Sequence, residues 1–168
     1  MLLSLTQYNV LRAMFTNIAA LGLTMNDMKG DVESRFNRVT PYLDGNSSTD
    51  LAMQQLPPAL RPTMLQMSIT HHPWIDPFPL PSFRDALLLA NGLYNEVELC
   101  NDLVGQCGDR STGQVGIIVW GEPWDLYGWE MTKSFARKWL WLFRGCKELM
   151  ESTNYWRARR GEGRLFGI

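Results

Sequence analysis

Residues 116–146, "GIIVWGEPWDLYGWEMTKSFARKWLWLFRGC", decide the fold class. The hydrophobic period changes within the stretch. Met131, Phe135, Trp139, Leu142 and Cys146 recur at steps of four, four, three and four, which places them on one face of a helix. Lys133, Arg137 and Arg144 fall on another face. Upstream, "QVGIIVWG" carries Val115, Ile117, Ile118 and Val119, a β-like run. No second run of that kind offers itself as a partner, so the reading is a single buried extended segment. "GEPWD" (121–125) reads as a turn between the two, and Gly145 separates the long helix from a last one over 147–160.

Working outward, "FRDALLLANGLYNEVELCNDLV" (83–104) predicts one helix, N-capped by Ser82 and closed by Gly105 and Gly108. Before it stands "HHPWIDPFPLP" (71–81). Each proline fixes its own φ and pushes the preceding residue out of the α region. Residues 72–80 are therefore read as an extended or polyproline-like strut that orients Trp74. At the other end, Leu11, Met14, Phe15 and Ile18 give an apolar stripe and predict a helix over 4–22. Residues 24–50 read as a loop with a short helix near 31–38 and a flexible tip at "DGNSSTD". A short helix over 48–56 ends at Pro57-Pro58. The expectation is a mainly α protein: one irregular helical domain over 1–168, with long ordered Pro/Trp-rich loops and at most one short extended segment.

Composition narrows the function. A chain of 168 residues buries roughly 70% of its unfolded surface and needs no metal or disulfide to hold it. Three cysteines, Cys100, Cys107 and Cys146, form no CxxC pair, which fits reduced thiols inside a cell, in nucleus or cytoplasm. The apolar start is broken by Gln7, Asn9 and Arg12 and resembles neither a signal peptide nor a membrane span. Asn46-Ser47-Ser48 matches a glycosylation sequon that has meaning only with secretion. Nine basic and four acidic residues after position 128 give +5; seven and thirteen before it give −6. That split suggests two parts of one fold attracting each other. No cofactor fingerprint or P-loop appears, and "GDRSTG" lacks nucleophile-elbow spacing.

Several residues could carry chemistry. His71 and His72 are adjacent, so in an extended chain they point to opposite faces and do not grip one metal. Their expected role is to fasten the strut by capping backbone groups. A His–Asp pair acting as general base is the functional alternative. Fully extended, His72 and Asp76 would be roughly 13 Å apart, and pairing them needs a turn at Trp74-Ile75. Glu122 and Asp125 flank a Pro-Trp turn and are read as caps of the following helix, with acid–base work as the alternative. "NYWRARRGEGR" sets Arg157, Arg159, Arg160 and Arg164 beside Tyr155 and Trp156. Such a cluster can bind phosphates or stack on bases. With a pI near 6.1, salt links to the acidic first part are the preferred reading, and nucleic acid is not an expected partner.

Three stretches carry a family resemblance: "QYNVLRAMFTNIAALGL" (7–23), "HHPWIDPFPLPSFRDAL" (71–87) and "GIIVWGEPWDLYGWEMTKSFARKWLWLFRGCKELMESTNYWRARRGE" (116–162). Together they resemble the fungal domain of unknown function found C-terminal to basic-leucine-zipper regions in putative transcription factors. The resemblance implies a regulatory role and no catalytic residues. No basic region or leucine heptads precede residue 7, and zipper-type binding needs both. The resulting expectation is a regulatory or sensing domain that takes a small apolar metabolite or a protein partner, without cofactor, metal or membrane. Its expected contact residues are Trp74, Trp120, Trp124, Trp129, Tyr155, Trp156 and Arg157. The alternative is a cofactor-free cyclase or isomerase of fungal secondary metabolism, using His71, His72, Asp76, Glu122 or Asp125 in an aromatic pocket.

Overall fold

A computed structural model describes residues 5–37, 53–105 and 115–168. The expected flexible tip, the sequon, most of the 48–56 helix, Cys107 and all of "GDRSTG" lie outside the described residues. Residues 53–55 are helical, and six further α-helices are described: α1 (Leu5–Ala20), α2 (Met64–Ser68), α3 (Pro81–Leu89), α4 (Glu96–Val104), α5 (Lys133–Phe143) and α6 (Lys147–Arg159). The protein is mainly α, as expected.

Two strands accompany the helices, against the expectation of one segment at most. β1 (Ile117–Val119) pairs antiparallel with β2 (Trp129–Met131), in the register Ile117↔Met131, Ile118↔Glu130 and Val119↔Trp129. The helical period read from the sequence includes Met131, which lies on β2. Thr132 ends that assignment, because its hydroxyl caps α5 by accepting from the Phe135 N–H, so the helix starts at Lys133. All three β2 side chains are buried. "WEM" has too few residues for alternation to distinguish it from a helical turn.

Two other expectations change. The single helix over 82–104 is two helices, because Gly92 takes φ +80 and Asn95 caps a new start by accepting from the Glu98 N–H at 2.9 Å. Residues 31–37 form turns rather than a helix. The proline strut contains a 3-10 turn at Pro73–Ile75, N-capped by His72.

α1 packs on β1 and α4, α6 covers β2, and α3 lies against α2 and α5. Residues as far apart as Val10 and Phe166 share one buried apolar cluster, with Trp129, Met131 and Phe143 among its members. Within it Phe83 and Phe143 stack at 3.9 Å, joining α3 to α5. Ile18, Leu21, Leu23, Phe36 and Leu60 form a smaller cluster.

Candidate functional site

The strut places a carboxylate where water does not reach. Asp76 is 1% exposed and accepts three hydrogen bonds: Ser34 Oγ at 2.7 Å, Gln66 Nε2 at 2.7 Å and His71 Nε2 at 2.9 Å. His71 Nδ1 lies 2.7 Å from the Ile69 carbonyl. A carbonyl and a carboxylate only accept, so His71 donates through both ring nitrogens and is held as an imidazolium. Burial works against the charged ring. The Asp76 bond and the Ile69 carbonyl outweigh it, and the His71 pKa is raised.

Arg84, fully buried on α3, adds a second cation. It donates to the carbonyls of Ala59 at 3.0 Å, Phe78 at 2.9 Å and Arg61 at 2.7 Å. Burial lowers its pKa to about 10, with Asp76 and Asp85 opposing, so it stays charged at neutral pH. His72 has a different task. Its Nε2–H donates to the Gly30 carbonyl at 2.9 Å, and Nδ1 accepts from the Trp74 N–H at 3.2 Å. Asp76 therefore pairs with His71, one place earlier than the pairing weighed from spacing, because the 3-10 turn replaces the extended path.

The second Pro-Trp corner is built alike. Asp125 caps a 3-10 turn at Leu126–Gly128 by accepting from the Tyr127 N–H at 3.0 Å. The capped element is this short turn, and Thr132 caps the helix beyond it. Glu122 is exposed. Asn17 of α1, 0% exposed, ties the two corners together: its Nδ2 donates to the Pro77 and Pro123 carbonyls, each at 2.9 Å.

The C-terminal arginines are committed locally. Arg160 makes a bidentate pair with the buried Glu130, at 2.6 and 2.8 Å, and lies 5.2 Å over the Trp120 ring. Its pKa is raised, first by the Glu130 hydrogen bonds. Arg157 pairs with Glu162 at 2.8 Å. These partners belong to the basic part itself rather than to the acidic first part. Lys138 does cross between the parts, to Glu98 at 2.6 Å and Asp102 at 2.5 Å.

The residues expected to share one pocket are divided. Trp74 and Trp129 help line an apolar groove of about 310 Å³, whose other walls include Met14, Met25 and Met28. Cys100 also lines it; burial pushes its thiol up to about 11, which makes it a poor nucleophile. Tyr155 and Trp156 help line a separate hollow of about 450 Å³, together with Asp125, Tyr127, Glu151 and Ser152. Trp120 stacks on Trp156 at 5.2 Å. Trp124 is partly exposed and lines neither. His71, His72, Asp76 and Glu122 border neither. Among the described residues no three His, Cys, Asp or Glu side chains converge as a metal site, and no helix is long and apolar enough to cross a membrane.

Sequence reasoning missed Ser34, Gln66, Arg84, Asn17 and Glu130. Only Gln66 had a signal: Thr63-x-x-Gln66 is a capping box, and the structure forms it, with the Gln66 N–H donating to Thr63 Oγ1 at 3.2 Å and the Thr63 N–H to Gln66 Oε1 at 2.9 Å.

The arrangement defines a small mainly helical protein with a two-stranded ribbon, a buried His–Asp pair, a buried arginine held by backbone carbonyls and an open apolar groove. The chain belongs to the DUF3425 family, a domain of unknown function, whose model matches residues 45–150. That span contains both Pro-Trp corners, α2 to α5 and the first turn of α6; α1 and the rest of α6 flank it. No curated protein and no solved structure matches the chain.

Proposed function

We propose that this chain is a regulatory module of one domain over 1–168 that senses a small apolar metabolite in the groove between α1, α4 and the first Pro-Trp corner. The observation that carries the reading is the groove itself. Its volume, about 310 Å³, stands at the low end of small-molecule sites, roughly 300–1,000 Å³. Three methionines in its walls can adjust to a ligand's shape. Phe15, 49% exposed, is a wall residue left open to solvent. The resemblance to the fungal domain beside zipper regions supports the regulatory part and an intracellular setting, nucleus or cytoplasm.

The enzyme alternative has less support. A His71 that donates through both nitrogens has no lone pair with which to take a proton, and its carboxylate partner is closed off from both hollows.

Native and denaturing mass spectra of the purified chain test the reading. The expected result is an added small-molecule mass that is lost on denaturation and absent from Phe15→Glu. A clean mass for the wild-type chain, with no change in tryptophan fluorescence on titration with anilinonaphthalene sulfonate, would overturn it.

A further inference from the structure

The second hollow combines three aromatic side chains with two carboxylates. Tyr127 (60% exposed), Tyr155 (52% exposed) and Trp156 provide ring surface, and Asp125 and Glu151 provide negative charge. Tyr155 and Trp156 meet nearly at right angles, 82° with centroids 5.3 Å apart, and so form two walls of a corner. Trp156 is held by a hydrogen bond and a stacked ring, and the carbonyl that it bonds is held in turn by Ser152. Its Nε1 donates to the Tyr127 carbonyl at 2.7 Å, Ser152 Oγ donates to the same carbonyl at 2.7 Å, and Trp120 stacks on its ring. Asp125 is fixed by its cap on the turn that carries Tyr127. The corner is therefore pre-organised, and little side-chain freedom remains to be lost on binding.

Aromatic faces attract cations, and they hold methylated ammonium groups well because these are weakly hydrated and apolar on the outside. This region already uses the same attraction for its own side chains. Arg160 lies over Trp120, and Arg159 lies 6.0 Å over Tyr155 with its Nη1 3.2 Å from the phenol oxygen. Phosphate would meet two carboxylates here, so the aromatic–arginine sequence that suggests an anion site from spacing builds surroundings of the opposite preference. We infer that the Tyr127–Tyr155–Trp156 hollow is a binding site for a methylated ammonium group, with Asp125 and Glu151 as its counter-charges. The ammonium group comes either from a free choline-like metabolite or from a methylated lysine side chain.

Choline tests the site by proton NMR, because ring currents shift its N-methyl signal upfield only when aromatic rings surround it. The expected result is a saturable upfield shift and binding at least about fivefold tighter than for the neutral isostere 3,3-dimethylbutan-1-ol. Tyr155→Leu and Glu151→Gln, both at exposed positions, should weaken binding while leaving the circular dichroism spectrum unchanged. Arg159→Gln should strengthen it by removing a competing cation. A peptide carrying trimethyllysine that binds more tightly than choline assigns the site to a protein partner; the reverse order assigns it to a metabolite. Equal binding of choline and its isostere, no shift at all, or insensitivity to both Tyr155→Leu and Glu151→Gln overturns the inference.

Discussion

Asp76 receives three donors out of reach of water, and His71 is the one among them that can lose its charge. Because the native His71 pKa is raised above that of the unfolded chain, the native state binds more protons in the interval between the two values. The stability this pair contributes is complete below the unfolded value and is lost as pH rises through the native one. Urea unfolding at about pH 5.5 and about pH 9 should show the wild type losing stability, and His71→Gln should lose less over the same interval. Asp76→Asn leaves the imidazolium without its counter-charge and should cost about 3 kcal/mol near neutral pH, read from the same urea curves. The sequence brought both histidines and the aspartate to notice and predicted fastening over chemistry. The pairing that it weighed as the alternative took His72 rather than His71, because alternation along a strand does not survive a 3-10 turn. Ser34 contacts Asp76 from 42 positions away, and no local pattern marks such a residue.

The boundary between ribbon and helix turns on close packing as much as on hydrophobic period. Gly116 donates to the Leu103 carbonyl at 3.1 Å and accepts from the Thr132 N–H at 2.9 Å, so it joins the end of α4 to the start of α5. A Cβ there would collide with the Asp102 carbonyl oxygen and the Phe135 ring. Gly116→Ala should therefore destabilise by about 2 kcal/mol, measurable as a lower urea midpoint with an unchanged slope. The step pattern marked a real buried face over Phe135, Trp139 and Leu142; Cys146, buried as well, lies beyond the helix's end at Phe143 and is the N-cap residue of α6. The second strand stayed hidden because its three residues are all buried and show no alternation. The Asn91-Gly92 break was hidden by apolar residues on both sides, which continued the helical pattern across a turn.

Across the whole molecule, two similar corners distant in sequence meet on one amide. The Pro-Trp theme predicted two similar corners, and both contain a 3-10 turn capped by the residue before it, His72 in one and Asp125 in the other. Asn17, the residue that joins them, sits on an amphipathic helix where its neighbours suggested only packing. Asn17→Leu removes both donors and leaves the Pro77 and Pro123 carbonyls buried without them, so it should cost about 2–4 kcal/mol in urea unfolding. Faster proteolysis of the native chain is expected to accompany it. The charge split predicted attraction between the parts, and Lys138 fulfils it. The arginines instead pair within the basic part: Arg157 and Arg160 reach Glu162 across the turn that ends α6, and Arg160 reaches Glu130 because α6 covers β2.

The Asn17 bridge also sets a timetable. Pro123 lies 106 positions beyond Asn17. At about 5–20 residues per second, a ribosome that has released α1 needs roughly 5–20 s more before the second acceptor exists. β1, against which α1 packs, is likewise made late. During that interval the first helix has the Pro77 carbonyl and α4 to meet, but neither Pro123 nor β1. The groove that it lines needs Ile117 and Trp129 as well, and is among the last features of the protein to form.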